Sequence, residues 1–270
     1  MSTRPVSQLR RFRFAVLPAI LAATFLITCE AQEAGKTQAR IQKKTYEFKD
    51  AGKKMEYTLF VPSTYDKEKK SPLIIALHGL GSNPNQIIRY KGLTDLAEKH
   101  GYIVACPMGY NNHGWYGQPV IKKFGSKDDP ENLSELSEKD VMNVLGIVKD
   151  EFNVDPDRIY LMGHSMGGGG TIHLAFKYPD IWAALGPIAP AIFRKPDVEK
   201  IKHIPIVMVQ GDADKLVKVD GPRRWAEEMK KAKMDYEYIE VEGGDHINVA
   251  FTKMPDIFAF FDKHKRKAKE

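Results

Sequence analysis

The sequence RIYLMGHSMGGGG, at residues 158–170, decides how the rest of the chain is interpreted. Its apolar first part, residues 159–162, predicts a buried strand, and residues 171–176 that follow predict a helix. Between them stands the pentapeptide GHSMG, so a single serine lies where a strand turns into a helix. Glycines permit such a turn, because a neighbouring Cβ would collide where strand and helix meet. We therefore expect the side chain of Ser165 to project clear of the backbone.

A G-x-S-x-G turn between a strand and a helix is the arrangement on which serine hydrolases hold their nucleophile. The helix is expected to start at Met166, and the free N–H groups and dipole of a helix start favour negative charge beside Ser165. The alternative is a glycine-rich turn without chemistry, since the bare pattern also arises by chance. The other loops of the chain must decide between these two interpretations.

The remainder of the chain predicts an α/β fold. Two alternating segments, residues 45–49 and 55–61, flank a glycine-containing turn and predict a β-hairpin at a sheet edge. After it, strands are predicted at residues 73–77, 102–106, 159–162, 182–188, 204–209 and 236–241. Between and after these strands, helices are predicted at residues 90–100, 137–152, 171–178, 223–233 and 249–263. This order predicts a doubly wound, mostly parallel sheet of about eight strands, with an antiparallel N-terminal hairpin and helices on both faces.

Two of these helices carry signals of their own. Ser137 and Asp140 fit a capping box, which places the start of the second helix at Ser137. The last helix is expected to be interrupted near Pro255, because proline cannot donate the backbone hydrogen bond of a helix interior.

The first 31 residues have the layout of an export signal. A basic run, RRFR, precedes an apolar run at residues 14–27, which is too short for a comfortable membrane span. Cleavage after Ala31 fits the small residues there, whereas the sequence LITC resembles a bacterial lipobox that would leave Cys29 as a lipidated N-terminus. We expect an exported protein, periplasmic or secreted, with a lipid anchor at Cys29 as the only route to a membrane. The mass of the exported protein distinguishes the two processing routes.

Length and composition are consistent with a single catalytic domain. We assign residues 32–43 to a flexible leader, 44–264 to one α/β domain and 265–270 to a basic tail. Of the 270 residues, 43% are hydrophobic, which excludes a disordered or fibrous protein. The net charge of +6 is concentrated at the two ends of the chain and does not indicate nucleic-acid binding. The pattern indicates neither a metal nor a cofactor, and it leaves the oligomeric state open.

Two backbone N–H groups are candidates for an oxyanion hole. The predicted strand at residues 73–77 ends in His78-Gly79-Leu80-Gly81, and an H-G-x-G sequence at that position resembles the oxyanion-hole loop of α/β-hydrolases. The N–H groups of Leu80 and Met166 would then stabilise the developing oxyanion, each by about 3 kcal/mol. His78 is interpreted as a loop-shaping histidine rather than a catalytic base.

The loops after the last two strands supply a candidate base and a candidate acid. The loop after residues 236–241 reads EGGDHI, and His246 is the histidine beyond the Ser165 helix that follows a strand in a glycine-rich loop. The loop after residues 204–209 reads QGDADKLV and offers two acids, Asp212 and Asp214. The chain order serine, aspartate, histidine differs from the orders of the chymotrypsin and subtilisin types.

These pieces together resemble an α/β-hydrolase of the secreted esterase group that includes feruloyl esterases and polyhydroxybutyrate-depolymerase-like proteins. The matching segments are LIIALHGLGSN, EFNVDPDRIYLMGHSMGG, KYPDIWAALGPIA and IVMVQGDADKLV before GGDH, and they span most of residues 55–262. The resemblance implies ester hydrolysis at Ser165. Family members usually carry the acid in a G-x-x-D sequence, which favours Asp214 over Asp212. The cysteine pairs common in extracellular depolymerases are absent from this sequence, which argues against a specificity for polymers.

We therefore predict a serine carboxylic-ester hydrolase that forms an acyl-enzyme on Ser165 and acts on small-molecule or oligomeric, aryl or acyl esters. Four aromatic or aliphatic residues on the loops around the predicted site are expected to bind substrate: Trp115, Tyr116, Ile192 and Ile247. For Trp115 the alternative is that it packs its loop onto the body of the domain. Two other functions stay open, a serine peptidase of the prolyl-oligopeptidase type and an exported binding lipoprotein on a non-catalytic hydrolase scaffold.

Overall fold

An eight-stranded sheet forms the centre of the protein in the computed structural model, which describes residues 37–38, 40–119 and 121–266. The strands are β1 Gln42–Phe48, β2 Lys53–Phe60, β3 Ser71–Leu77, β4 Ile103–Pro107, β5 Val154–His164, β6 Ala184–Ile188, β7 Ile206–Gly211 and β8 Tyr236–Val241. Their order across the sheet is β1-β2-β4-β3-β5-β6-β7-β8. The β1–β2 and β2–β4 pairs are antiparallel and the others are parallel, which confirms the predicted fold class.

Helices cover both faces of the sheet. They are α1 Pro84–Ile87, α2 Leu93–His100, α3 Leu133–Glu151, α4 Met166–Lys177, α5 Asp220–Lys231, α6 Val249–Thr252 and α7 Met254–Lys263. Helices α3, α4 and α5 pack in the core on one face, and α1, α2, α6 and α7 pack in the core on the other. Within β3 the pleat divides the strand between these two cores, because Leu73 and Ile75 belong to the first and Ile74 to the second.

The prediction for the start of helix α3 was wrong. The helix begins at Leu133, four residues before Ser137, and neither Ser137 nor Asp140 caps it. Ser137 Oγ instead accepts a hydrogen bond from the N–H of Tyr116 at 2.9 Å, and the Asp140 carboxylate accepts one from the N–H of Gly109 at 2.6 Å. Both side chains are fully buried and bind the loop that contains Gly109 and Tyr116. Their spacing resembles a capping box, but their role is to hold this loop against the helix.

Other boundaries differ by a few residues for local reasons. The predicted helix at residues 90–100 begins at Leu93, because Gly92 adopts a φ of 88° that a helix interior does not permit. The predicted break near Pro255 is present, since α6 ends at Thr252 and α7 begins at Met254.

The two ends of the chain lie largely outside the described residues. This holds for the predicted signal at residues 1–31, half of the leader at residues 32–43 and residues 267–270. Arg266, in the predicted basic tail, donates to Asp157 Oδ1 at 2.8 Å and to the carbonyl of Asp180 at 2.9 Å, so the chain is anchored to the domain there. Within the described residues, no helix combines the length and apolarity needed to span a membrane.

Candidate active site

Ser165 stands at the tip of a strained turn between β5 and α4. Its backbone adopts φ 59° and ψ −114°, an unfavourable region for a residue with a Cβ. Two contacts hold this conformation, one with the last residue of β6 and one with the segment after it. The Ser165 N–H donates to the Ile188 carbonyl at 2.9 Å, and the Ser165 carbonyl accepts from the Ala191 N–H at 3.0 Å. Neighbouring β6 therefore clamps the turn that presents the hydroxyl.

Glycines on either side of Ser165 are required by close backbone approach. A Cβ on Gly163 would lie 2.3 Å from the carbonyl oxygen of Gly167, and a Cβ on Gly167 would lie 2.1 Å from that of Leu77. Neither position can accept alanine without moving backbone. The requirement for glycine inferred from the sequence therefore has a direct steric cause.

Ser165 and His246 both face one cavity of about 1090 Å³ at the carboxyl ends of the parallel strands. Three of the predicted site residues, Leu80, Trp115 and Ile192, line it, and so does Ile247, which is 54% exposed. The structure thus collects residues from five loops around the serine, although they are distant in the sequence.

Asp214 is hydrogen-bonded to His246, and Asp212 is not. His246 Nδ1 lies 2.7 Å from Asp214 Oδ2, and the side chain of Asp214 is completely buried. A carboxylate only accepts, so Nδ1 carries the proton and the lone pair is on Nε2, which is the tautomer a general base needs. The other carboxylate oxygen, Oδ1, accepts from the N–H groups of Leu216 and Val217, each at 2.8 Å.

The buried carboxylate of Asp214 has a further donor that the sequence did not reveal. Gln210 Nε2 lies 3.2 Å from Asp214 Oδ2, and Gln210 is fully buried. Asp212, by contrast, is exposed and accepts from the N–H of Gly243 at 2.7 Å, as expected of a turn residue. Asp212 therefore connects the loop after β7 to the loop after β8, and Asp214 is the aspartate that binds His246.

Ser165 and His246 line the same cavity but form no direct hydrogen bond. Between these two described residues, Ser165 Oγ makes no hydrogen bond to His246 Nε2. In unliganded sites such contacts are often long, and they shorten when substrate binds. Proton transfer from the hydroxyl therefore requires the two side chains to come within hydrogen-bond reach when substrate binds.

The two predicted oxyanion donors lie beside Ser165 and are unpaired. The loop that carries Leu80 approaches closely, because a Cβ on Gly79 would stand 3.4 Å from Ser165 Cβ. Met166 is the first residue of α4, so its N–H has no partner within the helix. Among the described residues, neither the Leu80 N–H nor the Met166 N–H donates a hydrogen bond. Both are free to bind an anionic oxygen.

One predicted substrate-binding residue is not on the cavity wall. Tyr116 is completely buried; its ring packs edge-on against His78 and its hydroxyl donates to the His78 carbonyl at 3.3 Å. Tyr116 has a φ of 52° and packs against Gly170. It therefore supports the loop after β4 from the side of the core. Trp115 does form part of the wall and packs against Phe193, with 4.9 Å between ring centroids.

His164, which precedes the serine, was not predicted to act in the site. Its Nε2 lies 2.7 Å from the backbone carbonyl of His246, so Nε2 must donate. Nδ1 is then an acceptor, and the hydroxyl of Tyr90 donates to it at 2.9 Å. Tyr90 and His164 also line the cavity. The sequence offers one signal for this pair, a histidine within the pentapeptide, but nothing in it identifies Tyr90 as the partner.

Burial lowers the pKa of His164 to about 4, so the ring is neutral at pH 7. Because the unfolded state binds this proton near pH 6.5, the folded state loses stability as the pH falls from about 6.5 to about 4, by on the order of 2–3 kcal/mol for this group. Glutamine can donate to the His246 carbonyl and accept from Tyr90 without titrating. We expect the free energy of unfolding from urea titrations at pH 7 and 4.5 to fall more in the wild type than in His164→Gln. Equal falls in the two proteins would contradict this assignment.

The described residues contain no cluster of three histidine, cysteine, aspartate or glutamate side chains that could hold a metal ion.

The fold and the site define an α/β-hydrolase: the serine turn follows a central parallel strand, and the acid and the histidine follow the last two strands in that order. The family model described as "Putative esterase" matches residues 49–261, so the chain belongs to this esterase family. The resemblance to esterases of the feruloyl esterase kind is thereby confirmed. The resemblance to polyhydroxybutyrate depolymerases stays a prediction.

Individual relatives are distant. Putative esterase NocK from Nocardia uniformis subsp. tsuyamanensis is 30% identical over 173 residues, which are 63% of this chain and 48% of that protein. Feruloyl esterase B from Thermothelomyces thermophilus is 28% identical over 169 residues, 62% of this chain and 50% of that protein. The chain spans about half the length of these relatives. A solved S-formylglutathione hydrolase from Agrobacterium tumefaciens superposes with a TM-score of 0.66 at 18% identity, over 83% of this chain and 94% of that one, and shows the shared fold.

Proposed function

We propose that this protein hydrolyses carboxylic esters through an acyl-enzyme on Ser165. The observation that carries the proposal is the buried hydrogen bond of 2.7 Å between Asp214 and His246. Their loops bring the histidine to the cavity that Ser165 also lines, on its strained turn. A serine hydroxyl is a weak nucleophile until a base removes its proton, and this arrangement provides a base in the required tautomer.

The reaction follows from these positions. His246 Nε2 takes the proton of Ser165 Oγ as the oxygen attacks the ester carbonyl carbon, and the N–H groups of Leu80 and Met166 stabilise the negative oxygen. His246 then gives the proton to the departing alcohol, the C–O bond breaks and the acyl-enzyme remains. A water molecule repeats the sequence and releases the acid. Asp214 holds the ring of His246 and stabilises its cation.

The substrate class follows from the cavity wall. Trp115, Ile121, Phe124, Ile192 and Phe193 give one side of the cavity an apolar, largely aromatic surface. Such a surface favours the burial of an aryl or branched acyl group. The feruloyl esterases among the relatives support aryl esters as the first substrates to examine.

A small set of substrates tests the proposal. The protein is assayed on p-nitrophenyl esters of increasing chain length, methyl ferulate and a peptide p-nitroanilide. We expect hydrolysis of the esters and a kcat/KM for the anilide at least a hundredfold lower, because an anilide is a less reactive acyl donor than a p-nitrophenyl ester. Faster cleavage of the anilide than of the esters would make the protein a peptidase, and no turnover of any ester would favour a binding role.

A further inference from the structure

The rim of the active-site cavity is strongly basic. Five cationic residues line it, against one acidic residue, Asp220. The cationic residues are Lys123, Arg194, Lys215, Lys218 and Arg224. Asp220 in turn lies 4.0 Å from Arg223, a cation outside the lining, so its charge is partly compensated. A cleft lined by one sign of charge focuses its field on whatever enters and raises the local concentration of the opposite charge.

None of these five cations forms a close ion pair in the described part of the chain, although Asp197 interacts electrostatically with Arg194. Among the described residues, none of them lies within 4.0 Å of a carboxylate oxygen. Two of them contact aromatic rings instead: Arg194 lies over the Phe176 ring at 3.7 Å and Lys123 over the Phe124 ring at 4.7 Å. All five are exposed at the rim. Surface cations elsewhere in the domain are often paired, as Arg223 is with Glu240 and Lys139 with Asp50.

The chain positions of the cations indicate which part of an ester they would meet. Lys215 and Lys218 lie on the loop that carries Asp214, and Arg224 is in the first turns of α5, which follows that loop. Asp214 holds His246, and His246 must protonate the departing alcohol, so the alcohol lies on the side of the site formed by these loops. The aromatic wall around Trp115 and Phe193 is then available to the acyl group.

We propose that the preferred substrates are esters whose alcohol part carries a carboxylate or another anionic group. This inference rests on the proposed esterase function and specifies its substrate class. The alcohol could be a small hydroxy acid or a residue of an acidic polysaccharide; both present the same charge to Lys215, Lys218 and Arg224. The cavity of about 1090 Å³ has room for an aryl acyl group together with such an alcohol.

A matched pair of esters isolates the charge. The feruloyl ester of glycolate has a carboxylate on its alcohol part, and the feruloyl ester of glycolamide is an uncharged analogue of nearly the same shape. At low ionic strength we expect kcat/KM for the glycolate ester to exceed that for the glycolamide ester by about tenfold or more, and the ratio to fall towards one in 0.5 M NaCl because exposed charges are screened. A wild-type ratio at or below one would overturn the proposal.

Two triple variants assign the effect to the rim. In Lys215→Gln/Lys218→Gln/Arg224→Gln the ratio is expected to fall to about one. In the control Lys99→Gln/Lys200→Gln/Lys230→Gln, which removes three exposed lysines that do not line the cavity, it should keep its wild-type value. Equal ratios in the two triple variants would contradict the assignment.

Further substrates separate the remaining possibilities. The p-nitrophenyl esters of glutarate and glutaramate compare a carboxylate with its amide on the acyl side. A preference for the carboxylate that is larger here than with the glycolate pair would overturn the placement of the anionic group on the alcohol side. Release of ferulate from a feruloylated acidic polysaccharide, compared with the glycolate ester, distinguishes a polymer from a small hydroxy acid. Turnover of the glycolamide ester that requires Ser165 would show that the esterase proposal holds even where the charge preference fails.

Discussion

Replacement of Ser165 by alanine is expected to reduce kcat/KM for p-nitrophenyl and feruloyl esters by on the order of 10⁵-fold. The substitution removes one oxygen and leaves the backbone contacts of the turn, with Ile188 and Ala191, in place. The cavity and the unpaired N–H groups of Leu80 and Met166 also remain. Any residual rate therefore measures binding and oxyanion stabilisation without a nucleophile.

The interpretation of Ser165→Ala requires that the variant be folded. Its midpoint of thermal unfolding should lie within a few degrees of that of the wild type, because the backbone conformation is kept and the hydroxyl that is lost belongs to a half-buried side chain without a hydrogen-bond partner among the described residues. A variant that is folded and still hydrolyses esters at more than a tenth of the wild-type rate would contradict an acyl-enzyme on Ser165.

Replacement of Asp214 by asparagine is expected to lower kcat/KM by about 10³–10⁴-fold. Asparagine fits the same space, but its amide cannot stabilise the cation that forms on His246, and its NH₂ group facing Nδ1 would favour the wrong tautomer. The loop contacts with Leu216 and Val217 at Oδ1 can be retained by the amide oxygen. The loss should therefore appear in kcat, with the protein still folded.

Asp212→Asn is the matched control. Both aspartates lie on the same loop two residues apart, yet Asp212 bonds the N–H of Gly243 and not His246. Asparagine can accept from that N–H, so we expect less than a tenfold change in kcat/KM. Equal losses of kcat/KM in the two variants, or a greater loss in Asp212→Asn, would show that Asp214 is not the acid that orients His246.

The sequence predicted the parts of the site that local rules determine. The glycines around Ser165 stand where an added Cβ would lie only 2.1 to 2.3 Å from a backbone oxygen. Chain order with the α/β alternation placed His246 and an aspartate at the same sheet edge. The choice of Asp214 over Asp212 needed the family resemblance, because both acids stand on the same loop. Only the packed structure shows the carboxylate against the ring nitrogen of His246.

What the sequence did not predict depends on contacts between distant segments. Ser137 and Asp140 fit a capping pattern, but burial under the Gly109 loop gave them other partners. Tyr116 stands next to Trp115 in the sequence and was expected to share its role, yet one faces the cavity and the other fills the core behind it. The pairing of Tyr90 with His164 joins residues 74 positions apart and has no local signature.

The central claim is that Ser165 is the nucleophile, and a mass measurement after treatment with an alkyl phosphonofluoridate tests it most directly. The reagent forms a phosphorus–oxygen bond to an activated serine and releases fluoride. Trypsin cleaves after Arg158 and Lys177, so Ser165 lies in the peptide of residues 159–177, whose other hydroxyl groups are those of Tyr160 and Thr171. We predict one phosphonyl group per chain, located on Ser165 by fragmentation, with esterase activity lost in proportion to labelling. A phosphonyl group on another residue in the inactivated protein, or full activity in protein labelled on Ser165, would contradict the account.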